Sequence, residues 1–368
     1  MKNNKKNLII YSPTIEDGGV EKNLYNISNY LSEKIQNITV ITANKNKNNF
    51  NKKINFLSPK NHKWNFSNRY LKSLICIKLL LFHFLKSKKK FIILSFNNNL
   101  SAIIISKLIG AKIIVRSNTS VCSYLNNYLK KILFKFFLKN CHKIIVNSKS
   151  MKKEFKRNLG LNSTCIYNPL ENFKTLIQKS NKKIKFNFFK KDTINILNIG
   201  RLVEQKDQLT LINSLKQIND KIKFRALIIG EGEEKNKLNQ EIKKNKLADK
   251  VKIIGYQNNI YPYIKKTDIF VLTSKYEGLP NVIIECLAFK KIIISTNCHT
   301  GPSEILNDGK FGKLIKVGDY KNLALIIRNI KKNPNYYKKL ANNGFKTISR
   351  FDYKINCEKY FKEIKKFL

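Results

Sequence analysis

Short apolar runs rich in Ile, Val and Leu recur along this chain with helix-length spacers between them, and few folds accommodate that rhythm. In the first half they are Leu8–Tyr11, Ile38–Thr42, Phe91–Phe96, Lys112–Val115 and Lys143–Asn147. In the second half they are Ile194–Ile199, Phe224–Ile229, Val251–Ile254, Ile269–Leu272 and Lys291–Ser295. A strand with no polar face must be buried on both sides, which predicts a parallel sheet with helices on each face. Two such series predict two doubly wound, Rossmann-like α/β domains, and 368 residues exceed what one ordinary core uses. Residues 171–192 are polar and rich in Lys and Asn, and read as a linker. The expected division is therefore 1–180 and 181–352, with a last helix at 353–368 that packs back on the first domain. No short-period repeat is visible.

The formal net charge is +48, and no Asp or Glu occurs between Glu33 and Glu154. Such a field favours anionic lipid surfaces or polyanions. A bland reading competes with it: Lys, Asn, Ile and Phe are residues of A·T-rich codons, and genome composition supplies excess lysine without function. Two helical stretches, Tyr70–Phe84 and Tyr124–Leu138, mix Leu, Ile, Phe and Tyr with lysines. In the second, Leu125, Leu129, Ile132 and Phe136 fall at helical spacing beside Lys130, Lys131, Lys135 and Lys139. That pattern suits either a helix covering the sheet or a basic interfacial helix on an anionic membrane.

Several function classes lack their signatures. Seven cysteines are scattered without a C-x-x-C pair, which argues against a disulfide framework or a zinc site and for a reduced, cytoplasmic setting. His62, His83, His142 and His299 have no metal-ligand spacing, and no G-x-S-x-G elbow, Walker A sequence or G-x-G-x-x-G is present. No run of 18 apolar residues suggests a transmembrane helix. The apolar run after the N-terminal lysines, Leu8 to Tyr11, is too short for a signal peptide core. A nucleic-acid binder would need a recognition motif that is missing here.

Chemistry concentrates where strands end. Ser274-Lys-Tyr-Glu-Gly-Leu-Pro-Asn-Val-Ile-Ile-Glu285 follows the run Ile269–Leu272 and carries two carboxylates, Glu277 and Glu285, around Gly278-Leu279-Pro280. Pro suits a first helical turn, so Glu277 is expected on the loop and Glu285 about one turn inside the helix. Open α/β sheets bind ligands at that edge. Gly200-Arg-Leu-Val-Glu-Gln-Lys206 ends another strand, and its Arg201 and Lys206 suit a diphosphate, the guanidinium bidentate and the ammonium as a point charge. Gly18 and Gly19 end the first strand and open a helix, where backbone N–H groups accept a phosphate. Gly230-Glu-Gly232, Gly255 and Thr300-Gly-Pro-Ser-Glu-Ile-Leu306 are further post-strand glycine turns.

In their order these segments resemble the retaining glycosyltransferases of family 4, with the GT-B fold of two Rossmann-like domains facing a cleft; Tyr167-Asn-Pro169 is similar to the family's Asn-Pro turn. The likeness runs from about residue 7 to 350 and is sharpest in the second half. It implies a nucleotide-sugar donor, UDP-linked, with Arg201 and Lys206 on the diphosphate and Glu285 on the ribose. It implies Glu277 on the transferred sugar and Gly278, Leu279 and Asn281 near phosphate or sugar. Gly18 and Gly19 would meet the phosphate from the other domain. It further implies retention of configuration without a metal or other cofactor, a hexosyl or N-acetylhexosaminyl group, and a lipid-linked saccharide or growing glycan as acceptor. The setting implied is cell-surface polysaccharide, lipopolysaccharide or capsule biosynthesis on the inner face of the cytoplasmic membrane. Many members carry a His where this chain has Ile114-Val-Arg-Ser-Asn-Thr119, so Arg116 or Asn118 stands in for it. The alternatives are a GT-B sugar-nucleotide epimerase and, from another class, a polyanion or nucleic-acid binder.

Overall fold

The computed structural model describes residues 7–15, 18–44, 48–60, 68–87, 90–97, 99–118, 120, 128–184, 186 and 188–368. His62, Thr119 and the start of the stretch from Tyr124 lie outside them. The chain forms two compact units, Met1–Pro169 with Tyr353–Leu368, and Leu170–Asp352.

In the first unit the elements run β1 (Asn7–Tyr11), α1 (Gly19–Lys34), β2 (Ile38–Ile41), β3 (Asn55–Leu57), α2 (Arg69–Ser87), β4 (Phe91–Ser95) and α3 (Asn99–Leu108). They continue with β5 (Lys112–Ser117), α4 (Tyr128–Lys139), β6 (Lys143–Val146), α5 (Lys149–Leu159) and β7 (Thr164–Cys165). The seven strands are parallel in the order β3-β2-β1-β4-β5-β6-β7. Alternation along each strand sends successive side chains to opposite faces. Ile9, Tyr11, Ile93, Ile113 and Val115 pack against α2, α3, α4 and α5. Leu8, Ile10, Leu94, Ile114 and Ile145 pack on the opposite side against α1 and the terminal helix Tyr353–Lys365. That helix adds Cys357, Tyr360 and Ile364 to the core, all fully buried.

The second unit runs α6 (Phe173–Ser180), β8 (Ile194–Ile199), α7 (Gln208–Gln217), β9 (Phe224–Ile229), α8 (Lys235–Lys244), β10 (Val251–Ile254), α9 (Tyr261–Lys266) and β11 (Ile269–Leu272). It ends with α10 (Asn281–Ala288), β12 (Ile292–Thr296), α11 (Pro302–Leu306), β13 (Lys313–Ile315), α12 (Tyr320–Lys332) and α13 (Pro334–Lys346), before the terminal helix α14 (Tyr353–Lys365) of the first unit. Its six strands are again parallel, in the order β10-β9-β8-β11-β12-β13. Residues 171–192, expected as a linker, contain α6, which packs on α9 and belongs to the second unit. Leu176 is buried there, and Asn172 caps the helix by accepting from the Lys174 N–H.

In each sheet the strand order reverses beside the first strand, between β1 and β4 and between β8 and β11. Connections leave in opposite directions at such a point and open a crevice at the C-terminal ends of the strands.

Candidate active site

Arg201, Lys206 and Glu277 all lie beyond strand ends flanking the β8/β11 switch point. After β8 the chain makes a 3-10 turn at Glu204–Lys206, and Asp207 then adopts a left-handed conformation (φ 44°) and caps α7. The loop after β11 is laced to that turn. Thr273 Oγ1 donates to the Lys206 carbonyl at 3.1 Å, the Lys275 N–H to the Gln205 carbonyl at 2.8 Å, and Gln205 Nε2 to the Tyr276 carbonyl at 2.9 Å. The lacing ends in an ion pair, Lys206 Nζ to Glu277 Oε1 at 2.5 Å, with side chains only 17% and 8% exposed. Ser274 Oγ donates to the same carboxylate oxygen at 2.7 Å.

The loop is also pinned from β12. Thr296 Oγ1 donates to the Ser274 carbonyl and Thr300 Oγ1 to the Glu277 carbonyl, both at 2.6 Å. Gly301 sits at φ 83°, and a Cβ there would collide with the Gly278 carbonyl. Gly230 and Gly232 likewise let the loop after β9 lie against the carbonyls of Gly200 and Leu202, with no room for side chains. Donors held this rigidly cost little reorganisation when charge develops nearby. Cys298 is no nucleophile here: burial first, then the Glu277 carboxylate, push its thiol up to about 12.

Arg201 is exposed, and its carbonyl accepts from Gln208 Nε2 at 3.0 Å. Gly278 and Leu279 are buried, Pro280 stands at the N-cap of α10 and Asn281 is its first residue. Glu285, on the next turn, is 4% exposed and accepts from Tyr261 Oη at 3.1 Å. The same phenol lies 3.4 Å from Glu171 Oε2, and Lys179 pairs with Glu171 Oε1 at 2.5 Å. Burial, then the charges of Glu285 and Glu171, raise the Tyr261 phenol far above its ordinary value, so it remains a donor. The two carboxylates expected at this site are thus held by different partners.

The other expected residues belong to the first unit. Gly18 and Gly19 are exposed at the start of α1, where Gly18 is extended and supplies no side-chain cap. Asn118 follows β5 and donates from Nδ2 to the Phe96 carbonyl at 2.7 Å. Arg116, offered by the sequence as a stand-in for a ligand-binding His, is fully buried. It donates to Tyr360 Oη at 2.8 Å and to Asn168 Oδ1 at 2.7 Å, and lies 5.2 Å from the Phe96 ring centroid. It therefore ties β5 to the Asn-Pro turn and to α14.

Sequence reasoning marked the segments that open with Ser274 and Thr300 but not the roles of their hydroxyls, and it missed Tyr261 and Glu171. Tyr261 left only a Tyr-Pro pair where Pro262 enters a helix after a strand.

Two family models match the chain. The model described as Glycosyltransferase Family 4 matches residues 17–171, and the one described as Glycosyl transferases group 1 matches residues 179–347. An uncharacterized glycosyltransferase of Methanocaldococcus jannaschii is 38% identical over 51% of this chain and 48% of its own. The N-acetylgalactosamine-N,N'-diacetylbacillosaminyl-diphospho-undecaprenol 4-alpha-N-acetylgalactosaminyltransferase of Campylobacter jejuni is 28% identical over 62% of this chain and 61% of its own. The matches thus span about half to three-fifths of those relatives. Among solved structures, Anabaena HepE in complex with UDP and glucose superposes with a TM-score of 0.77 at 16% identity, covering 98% of this chain and all of that one. With two parallel, doubly wound sheets and matches on both halves, the chain belongs to the group 1 glycosyltransferases and has the GT-B fold.

Proposed function

We propose that the protein transfers a hexosyl or N-acetylhexosaminyl group from a UDP-linked donor to a lipid-linked saccharide or growing glycan, with retention of configuration, at the cytoplasmic membrane face. The observation that carries the reading is the Lys206–Glu277 ion pair beside the β8/β11 switch point, in a chain of this family. An ammonium has three donors, so with one on Glu277 two remain for phosphate oxygens. Arg201, exposed on the same loop, adds a bidentate donor. In this reading the acceptor hydroxyl forms the new bond to the anomeric carbon as the bond to the diphosphate breaks. The departing phosphate takes the hydroxyl proton on the same face. Charge grows on the leaving phosphate, where Lys206 and Arg201 stabilise it without a metal. Glu277 orients the sugar, Gly278, Leu279 and Asn281 line the donor, and Glu285, steadied by Tyr261, takes the ribose hydroxyls.

The donor class draws support from the UDP complex of the Anabaena neighbour, and the acceptor class from the diphospho-undecaprenol in the Campylobacter relative's name. The test incubates purified protein with a nucleotide-sugar panel, a polyprenyl-diphosphate-sugar acceptor and EDTA. Transfer with retained configuration that Glu277→Gln and Arg201→Ala each lower by about 100-fold is expected. Unchanged transfer in both variants sinks the site assignment, and an altered donor sugar formed without acceptor points to the epimerase reading.

A further inference from the structure

Three of the four helices on one face of the first sheet, α2, α3 and α4, bury one side and leave apolar side chains on the other. Cys76 and Leu80 of α2, Ala102, Ile103 and Ile105 of α3, and Leu138 of α4 enter the core. Leu138 is the only fully buried residue of α4. Facing solvent are Tyr70, Leu74, Phe82 and Leu85 on α2, Ile104 and Leu108 on α3, and Tyr128, Leu129, Leu133 and Phe136 on α4. Leu108 is 75% exposed, Tyr128 76% and Phe82 65%. The helices are neighbours, α3 touching both α2 and α4. Ile103, Ile104, Leu108, Phe136 and Phe137 line a groove of about 150 Å³ between α3 and α4, with Lys107 on its rim. Monomeric soluble proteins rarely leave an apolar face of this extent open to water.

The charge around this face selects its occupant. Lys78, Lys86, Lys107, Lys130 and Lys139 on these helices are exposed, and the whole segment between Glu33 and Glu154 has no acid. A second copy of the chain would bring two lysine-ringed faces together with no carboxylate between them. A nucleic acid would match the lysines and leave the aromatic and aliphatic side chains unburied. An anionic bilayer answers both: acyl chains take the apolar tips while headgroup phosphates take the ammonium groups. Among the described residues no helix is long and apolar enough to cross a membrane, so this contact is with one leaflet. We propose that α2, α3 and α4 form an interfacial docking face for anionic phospholipid. The proposal stands on this surface alone, so vesicle binding and sugar transfer can fail separately.

Co-sedimentation with phosphatidylcholine vesicles, with and without about a third of phosphatidylglycerol, tests it. Binding to the anionic vesicles that weakens between low and high salt is expected. Phe82→Ser/Leu108→Ser/Phe136→Ser, one change per helix, and Lys107→Glu/Lys130→Glu/Lys139→Glu are each expected to lower the partition coefficient at least tenfold. Melting midpoints verify that the variants fold. If the serine variant does not, Phe136→Trp in a Trp64→Phe background reads insertion directly, as quenching by brominated lipid. Equal binding by all variants, equal binding to neutral vesicles, or no quenching overturns the proposal. So does a wild-type dimer that the serine variant dissociates without changing vesicle binding.

Discussion

Removing the Lys206–Glu277 pair in steps separates what it does for the fold from what it does for the reaction. Lys206→Met keeps the side-chain volume but leaves the Glu277 carboxylate in a site 7% exposed, with Ser274 Oγ as its remaining described donor. Breaking a buried pair from one side costs about 3–5 kcal/mol, and the partial exposure of the Lys206 stem places this case near the low end, about 3 kcal/mol. For a unit the size of Leu170–Asp352 that is a fall in Tm of about 6–12 °C. Glu277→Gln is milder, about 1–2 kcal/mol, because the orphaned ammonium is the more exposed partner and can turn toward water. The double variant Lys206→Met/Glu277→Gln has no uncompensated charge and keeps the Ser274 hydrogen bond, so it is expected within about 1 kcal/mol of the wild type. The four proteins form a double-mutant cycle with a coupling energy of about 3 kcal/mol, read from thermal or urea midpoints. On the proposed function transfer is expected to behave oppositely: the double variant regains stability but still loses about 100-fold or more in kcat, because the cation proposed to meet the leaving phosphate is gone. Additive stability losses would show that the pair is not coupled in the folded protein. A stable double variant with undiminished transfer would remove both residues from the proposed chemistry.

Two further outcomes follow from the second carboxylate and from a half-buried histidine. Tyr261→Phe deletes the described donor to Glu285 Oε1, and a lost hydrogen bond to a charged group is worth about 1.5 kcal/mol, so donor KM should rise about tenfold with kcat nearly unchanged; a fall in kcat at constant KM would move Tyr261 into the chemical step. His83 on α2 has its imidazole held below its ordinary value by burial. Its folded pKa lies under the unfolded one, so as pH falls through about 6.5 the unfolded chain takes up the proton first and stability declines until the folded pKa is passed. Melting midpoints at pH 7.5, 6.5 and 5.5 should show a shallower acid decline in His83→Gln than in the wild type, and superimposable profiles would contradict the assignment.

The inner strands were readable because burial makes them mostly apolar: β8, β9 and β11 have the expected bounds, as does the edge strand β10 despite its exposed Lys252, and β12 is displaced by one residue. The strands that sequence reading missed, β3, β7 and β13, lie at sheet edges and span only Asn55–Leu57, Thr164–Cys165 and Lys313–Ile315. An edge strand this short needs no apolar run, and its register comes from the neighbour it pairs with. The helix α6 was hidden for a related reason: Leu176 is its one buried apolar residue, in a stretch otherwise rich in Lys and Asn. Composition and spacing single out Glu277, Glu285, Arg201 and Lys206 as candidates, and the structure brings Lys206 and Glu277 together. The 2.5 Å contact between Lys206 and Glu277 was not legible, because residues 71 positions apart meet only through the pairing of β8 with β11.

That contact changes what the two glutamates can be. A hydrolytic pair places two carboxyl groups on opposite faces of one bond, with one of them poised to give up a proton. Here Glu277 Oε1 receives an ammonium and a hydroxyl, and Glu285 Oε1 receives a phenol whose proton is held tightly by burial and by two carboxylates. Both oxygens are acceptors to fixed donors, which suits orienting hydroxyl groups of a ligand rather than shuttling protons. The cation is correspondingly fixed: Lys206 is pinned by Glu277, and its backbone carbonyl by Thr273. A flexible lysine would lose conformational entropy each time it met a diphosphate. One already held by a buried carboxylate meets that cost at folding, so in the proposed reaction its remaining donors would meet the leaving group at little further expense. In the proposed reaction the same carboxylate that steadies the cation would also orient the sugar. On this argument Glu277→Asp, which keeps the charge but withdraws it by one methylene, should disturb transfer more than stability.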